Sequence, residues 1–170
     1  MINKIVNISK TSWLETYIIE KSKYIQNGES NTWQPEQRPA IIVIPGGGYK
    51  YIADSENEPI VFNYLKNGYS CFTLHYSIGD YSVYPTPLVE LFKAIKYIRD
   101  HSKEYFIDSN AIIVCGFSAG AHLAALSAVK WNSNEFSYLC TNSNEELKPN
   151  GAILSYPITN NDKLIDMQWK

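Results

Sequence analysis

The chain contains two uninterrupted runs of apolar residues, 40–44 and 111–115, and each run stops at a turn that contains glycine. A strand that is apolar on both faces is typical of a parallel sheet with both sides covered. We therefore predict that residues 40–44 form a central strand. Residues 70–76 and 151–155 are predicted as further strands, because they are short, mostly apolar segments close to glycine or proline.

Segments with helical periodicity separate these strands. Apolar residues recur at helical spacing within residues 57–66 and 88–98, and residues 121–129 are rich in Ala and Leu. From residue 40 onward, strands alternate with helices. The predicted fold class is therefore α/β, with a mostly parallel central sheet that has helices on both faces. The length and the absence of internal repeats predict a single domain over residues 1–170.

Two segments lie outside this alternation. Residues 13–19 and 23–26 partly alternate between apolar and polar positions, which predicts an antiparallel pair at one edge of the sheet. Residues 132–150 are rich in Asn, Ser and Glu and are predicted to form a surface connection before the last strand.

Composition narrows the classes of partner and the location. The formal net charge is −2, and the charged residues are scattered, so nucleic-acid binding and a polybasic membrane anchor are not predicted. The amino terminus lacks the apolar core of a signal peptide, and no run is long enough to span a membrane, which predicts a cytoplasmic protein. Cys71, Cys115 and Cys140 are unclustered, so we predict reduced thiols and no metal site.

The strongest chemical signal is the pentapeptide Gly116-Phe117-Ser118-Ala119-Gly120, which lies between a predicted strand and a predicted helix. This is the context of a Gly-x-Ser-x-Gly nucleophile elbow, in which glycines make room for a sharp turn that exposes the serine. We predict that Ser118 is a nucleophile. The N–H of Ala119, at the start of the helix, is predicted to stabilise a developing oxyanion.

A second glycine turn follows the predicted central strand. Gly46, Gly47 and Gly48 allow the backbone to approach a ligand closely, and their N–H groups are predicted to complete the oxyanion hole. Tyr49 follows this run as a candidate for lining the pocket. The alternative is that both turns are merely tight strand-to-helix connections without a catalytic role.

The base that a serine nucleophile needs is harder to find. His122 is the only histidine after Ser118. It is a candidate base or pocket-lining residue, although a buried, hydrogen-bonded structural role is the favoured interpretation. His75 ends a strand and either lines the pocket or packs locally, whereas His101 is predicted to be solvated. The acidic side chains near these segments are predicted to be surface charges: Asp54, Glu56, Glu58, Asp162 and Asp166. For Asp54, Glu56 and Glu58, which follow the glycine turn, a role at the rim of the pocket is the alternative.

Several motifs together resemble bacterial α/β-hydrolases of the acetyl-esterase and xylan-esterase-like branch. They are residues 44–49 (IPGGGY), 74–77 (LHYS), 84–88 (YPTPL), 115–124 (CGFSAGAHLA) and 154–157 (LSYP). The resemblance implies the α/β-hydrolase fold and a serine carboxylesterase that uses no cofactor and acts on small-molecule esters such as acetylated sugars. It also implies that the triad Asp and His, together with the last strands of the fold, lie beyond Lys170.

Three functions stay open from the sequence. The first is ester hydrolysis through an acyl-enzyme at Ser118, and the second is serine exopeptidase activity, which uses the same fold and elbow. The third is a non-catalytic fragment or binding module with an incomplete triad. The resemblance further implies an exposed sheet edge after residue 155, where a complementing chain or a second copy could pair.

Overall fold

The computed structural model describes residues 1–20 and 37–159, and these form an α/β structure. Within these ranges, six strands make one sheet in the order β1-β2-β4-β3-β5-β6. The strands are β1 (Ile5–Asn7), β2 (Trp13–Tyr17), β3 (Arg38–Ile44), β4 (Ser70–His75), β5 (Ile107–Phe117) and β6 (Gly151–Ser155).

The sheet is parallel in its centre and antiparallel at one side. β3 pairs in parallel with both β4 and β5, and β5 pairs in parallel with β6. β2 pairs antiparallel with β4 and with the edge strand β1. From Ala40 to Ile44, every residue of β3 is buried, as expected for a strand covered on both faces. The predictions of an α/β class and of a central strand at residues 40–44 are confirmed.

Among the described residues, three α-helices cover the two faces of the sheet: α1 (Glu58–Leu65), α2 (Thr86–Asp100) and α3 (Ala119–Lys130). One core cluster joins α2 and α3 to one face of the sheet, through side chains that include Ile42 and Val114. A smaller cluster joins α1 to the other face, where Ile41 and Cys115 pack near Val61. The alternation of side chains along each strand therefore supplies both cores.

This topology brings the candidate residues together at the carboxyl ends of the parallel strands. β3, β4 and β5 run in the same direction, so their carboxyl ends lie side by side. The glycine turn follows β3, His75 ends β4, and Ser118 follows β5. Ligands bind at the carboxyl ends of the strands in open α/β sheets.

The amino-terminal segment differs from the prediction. β2 is antiparallel as expected, but its edge partner is β1, a strand of only three residues that the sequence pattern did not indicate. Residues 23–26, the predicted partner, lie outside the described residues. Two bonds between Ile2 and Ile18 extend the β1–β2 pairing.

The connection between α3 and β6 also differs from the prediction. It contains two 3-10 helices, Asn134–Leu139 and Asn144–Leu147, and it is anchored to the core by Phe136 and Leu147, which are both fully buried. The predicted surface connection is therefore wrong for these two side chains. Their burial requires a partner in another element, and the local composition does not reveal that partner.

β6 forms the other edge of the sheet in the part of the chain that the structure describes. Ile153 and Leu154 are 40% and 43% exposed, although their apolar character is typical of a covered strand. A partner chain at this edge stays a prediction. In the described ranges, no helix has both the length and the apolar character needed to cross a membrane.

Candidate active site

Ser118 lies in a strained turn between β5 and α3. Its φ is +50° and its ψ is −111°, a backbone conformation that is costly for a residue with a side chain. Two backbone hydrogen bonds hold the turn: Ser118 N–H donates to Ser155 O at 3.0 Å, and His122 N–H donates to Ser118 O at 3.0 Å. The turn is thus tied to the end of β6 and to the first turn of α3.

The flanking glycines are required by the space around them. A Cβ atom at Gly116 would overlap the backbone of Gly120, and one at Gly120 would overlap the carbonyl oxygens of Ile44 and Pro45. The end of β5, the start of α3 and the end of β3 therefore approach one another without side chains between them. This is the physical reason for glycine on both sides of Ser118.

The glycine turn after β3 lies directly against Ser118. A Cβ atom built on Gly46 would stand 3.1 Å from Ser118 Cβ and 2.9 Å from Phe117 O. Gly47, Gly48 and Tyr49 all have positive φ, at 122°, 62° and 59°, so the chain makes a compact left-handed turn here. The structure thus brings the two predicted glycine turns together.

Tyr49 supports this turn from the core. It is 1% exposed, and a 2.8 Å hydrogen bond joins its hydroxyl to His122 Nδ1. Its ring packs edge-on against Tyr76, whose hydroxyl donates to Pro45 O at 2.9 Å. Burial raises the pKa of both phenols well above their usual range, so both are neutral. Tyr49 therefore links the glycine turn to α3.

The histidines have partners other than Ser118. Burial lowers the pKa of His122, and a hydrogen bond joins its Nδ1 to the Tyr49 hydroxyl. These contacts agree with the favoured structural interpretation, and a role for His122 as a base or pocket-lining residue stays a prediction. His75 packs locally: its ring stacks on Trp13, and its Nε2 lies 3.3 Å from Glu15 Oε2. Burial lowers the pKa of His75, and the charge of Glu15 opposes that shift.

The prediction that His101 is solvated is wrong. Its Nδ1 is 2.8 Å from Tyr97 O, and its ring stacks on Tyr97 and Tyr105. The prediction rested on its charged sequence neighbours. It missed that two tyrosines at spacings of four residues flank it, which is a signal present in the sequence.

Glu56 makes contacts at the site that the sequence did not predict. It was predicted as a surface charge, but its Oε2 accepts from Gly46 N–H at 2.6 Å, and its Oε1 accepts from the Tyr156 hydroxyl at 2.5 Å. Asp54 and Glu58 are exposed, as predicted. Asp162 and Asp166 lie outside the described residues. In the part of the chain that is described, no three His, Cys, Asp or Glu side chains cluster to hold a metal ion.

A family model decides the relationship to known proteins, because the BD-FAE model matches residues 29–168. The chain belongs to the BD-FAE family. Among solved structures, this BD-FAE chain is similar to MGS-M1, an α/β hydrolase from a deep-sea metagenome library, at 32% identity and a TM-score of 0.77, covering 95% of this chain and 60% of that one. It is also similar to an acetyl ester-xyloside bifunctional hydrolase from Caldicellulosiruptor lactoaceticus, at 30% identity and a TM-score of 0.71, covering 91% and 57%. The predicted α/β-hydrolase fold is confirmed.

Curated relatives of the BD-FAE chain include two xylan-related enzymes. Endo-1,4-beta-xylanase B of Butyrivibrio fibrisolvens is 31% identical over 72% of this chain and 20% of that protein. An acetylxylan esterase of Xylanibacter ruminicola is 29% identical over 76% of this chain and 25% of that protein. The chain therefore spans a fifth to a quarter of the length of these two relatives.

Proposed function

We propose that this chain provides the nucleophile and the oxyanion donors of a serine carboxylic-ester hydrolase that acts on short acyl esters. The observation that carries the proposal is the contact between the two glycine turns. The Ser118 turn, with its positive φ, lies beside a glycine turn, and within the described residues no acceptor takes the N–H groups of Gly47 and Gly48. The names of the relatives support acetyl groups on sugars as the substrate class.

Fewer backbone amides are available as oxyanion donors than the sequence predicted. Gly46 N–H is bound to Glu56, so this amide is already occupied. Within the described residues, no acceptor takes the N–H of Gly47 or Gly48. We therefore assign the donor role to Gly47, Gly48 and Ala119, the last at the positive end of the α3 dipole.

The proposed reaction follows from these roles. Ser118 Oγ bonds to the ester carbonyl carbon as its proton passes to a base, and the carbonyl oxygen becomes an oxyanion bound by the backbone amides. The C–O bond to the alcohol then breaks, and the alcohol leaves with the proton. Water next attacks the acyl-serine, which releases the carboxylic acid and restores the hydroxyl.

A second candidate function is a non-catalytic module that binds an acyl group. It is favoured by the hydrogen bonds of the two nearest histidines, since His122 is bound to Tyr49 and His75 to Glu15. Neither imidazole is joined to Ser118 by a hydrogen bond between described residues. This candidate predicts binding of short esters without turnover.

Hydrolysis of p-nitrophenyl acetate by the purified chain separates the two candidates. The esterase proposal predicts turnover that disappears in Ser118→Ala and persists in Ser137→Ala, which removes an exposed hydroxyl from the connection after α3. A folded chain that binds the ester but shows no Ser118-dependent turnover would favour the binding module. A series of acetate, butyrate and octanoate esters then measures the acyl preference.

A further inference from the structure

The Glu56 carboxylate connects two segments that frame the nucleophile. One oxygen accepts from the first amide of the glycine turn, at Gly46, and the other accepts from the phenol of Tyr156, directly after β6. Glu56 itself ends the short 3-10 helix Asp54–Glu56, on the chain that returns from the glycine turn. A single side chain thus joins the loop after β3 to the end of β6.

These contacts complete a ring around Ser118. Ser155 O accepts from Ser118 N–H, and the next residue, Tyr156, donates to Glu56. Glu56 binds Gly46, which packs against Ser118. Each member of the ring therefore contacts its neighbour, and the carboxylate is the side chain that joins the glycine turn to the end of β6.

The chemistry of the contact suits this role. A carboxylate accepts a backbone N–H more strongly than a neutral acceptor does, and the bond is correspondingly short. The bond to Glu56 raises the pKa of Tyr156 to about 12, with burial and the carboxylate charge adding to the shift, so the phenol stays protonated and keeps donating. A backbone hydrogen bond also joins the segment before Glu56 to the glycine turn: Ala53 N–H donates to Gly46 O at 3.1 Å.

We propose that Glu56 is a positioning residue that fixes the glycine turn so that Gly47 and Gly48, rather than Gly46, present their amides to the acyl group. The inference rests on the proposed esterase function for its kinetic consequence. Its structural consequence, a fixed geometry of the glycine turn, does not depend on turnover.

The kinetic test compares Glu56→Ala with Glu56→Gln. A glutamine carries an amide oxygen for Gly46 N–H and an amide nitrogen that can donate to the Tyr156 oxygen, so it preserves both links without the charge. We expect Glu56→Ala to lower kcat for p-nitrophenyl acetate by about tenfold to a hundredfold with little change in KM, because misplaced donors act on the transition state. Glu56→Gln should recover most of this loss, and Glu58→Gln, an exposed neighbour, should match the wild type.

Two kinetic results would overturn the inference. One is a Glu56→Ala variant as active as the wild type in a chain with Ser118-dependent turnover. The other is a Glu56→Gln variant as impaired as Glu56→Ala, which would show that charge rather than position matters.

A second measurement keeps the inference testable if the chain shows no turnover. In ¹H–¹⁵N spectra of the full chain, the amide signals of Gly46, Gly47 and Gly48 should all move in Glu56→Ala, and those of Gly47 and Gly48 should return in Glu56→Gln. Unchanged Gly47 and Gly48 signals in Glu56→Ala would refute the positioning role. Absent turnover with the expected spectral changes would instead refute the esterase proposal and leave the positioning of the turn intact.

Discussion

At the scale of single residues, the site depends on where side chains are excluded. Gly116 and Gly120 leave room for three backbone segments to meet, and Gly47 adopts a φ of 122° that an L side chain rarely accepts. Ser118, between these two glycines, keeps its side chain and adopts a φ of +50°. The strain is maintained because the neighbouring backbone is hydrogen-bonded on both sides of the turn.

Gly120→Ala tests this crowding. The added methyl group would overlap the carbonyl oxygens of Ile44 and Pro45, so the free energy of unfolding should fall by about 1–3 kcal/mol or more. Gly151→Ala is a matched control, since its Cβ atom would lie 3.5 Å from Ile113 in ordinary contact. Urea denaturation of both variants measures the difference. Equal stability of the two variants would contradict the close approach of β3 and α3.

The two partly buried histidines predict a pH dependence of stability. Burial lowers the pKa of His122 and of His75 in the folded state, whereas the pKa of a histidine in the unfolded chain is about 6.5. The unfolded chain therefore binds more protons, and the free energy of unfolding should decrease as the pH falls below about 6.5.

Variants that keep the hydrogen bonds isolate this effect. His122→Asn retains an acceptor for Tyr49, and His75→Gln retains a donor for Glu15, but neither variant titrates. Each should flatten the dependence of unfolding free energy on pH between about pH 7 and pH 5, where the imidazole titrates. Denaturation curves across this range provide the measurement. A slope equal to that of the wild type in both variants would show that these imidazoles are not desolvated.

At the scale of elements, α2 organises the long connection that leads to β6. The Arg99 guanidinium, near the end of α2, donates to the carbonyl oxygens of Ser109, Glu146 and Lys148. Lys96, one turn earlier, forms an ion pair with Glu146. The backbone N–H of Thr141, this ion pair and the backbone N–H of Asn142 together lower the pKa of the Glu146 carboxyl to about 2. These polar contacts thus fix the connection in one position against α2.

Arg99→Met tests this anchor while keeping the aliphatic stem. It would leave several carbonyl groups without their charged donor, so the free energy of unfolding should fall by about 2–3 kcal/mol. Lys103→Met, an exposed change just beyond the same helix, should have little effect. Chemical denaturation compares the two. A loss no greater than that of Lys103→Met would mean that the connection holds its path without Arg99.

At the scale of the whole molecule, the parts predicted from sequence are those with a local physical signature. The two-sided apolar run at residues 40–44 is typical of a covered strand. The spacing from Gly116 to Gly120, directly after such a run, indicates a sharp turn at a strand end. The contacts of Glu56 could not be predicted, because Tyr156 is distant in the chain and Gly46 reaches Glu56 only through the fold of the glycine turn. β1 was missed because three residues carry too little periodicity to detect.

The parallel order of β4, β3, β5 and β6 then determines what the site contains. It places the glycine turn, the serine turn and the end of β6 side by side at the carboxyl ends of the strands. Membership of the BD-FAE family agrees with that arrangement. The esterase proposal assigns a chemical role to the residues along these strand ends. It requires Ser118 to be more nucleophilic than any other hydroxyl in the chain.

Labelling with a fluorophosphonate, followed by peptide mass spectrometry, tests that claim most directly. The reagent forms a covalent bond to an activated serine and places its phosphoryl oxygen where the oxyanion would lie, so it reports the nucleophile and the amide donors together. We expect one phosphonylated residue, Ser118, and no labelling of Ser118→Ala. Labelling at another serine, or no labelling of the folded wild-type chain, would contradict it.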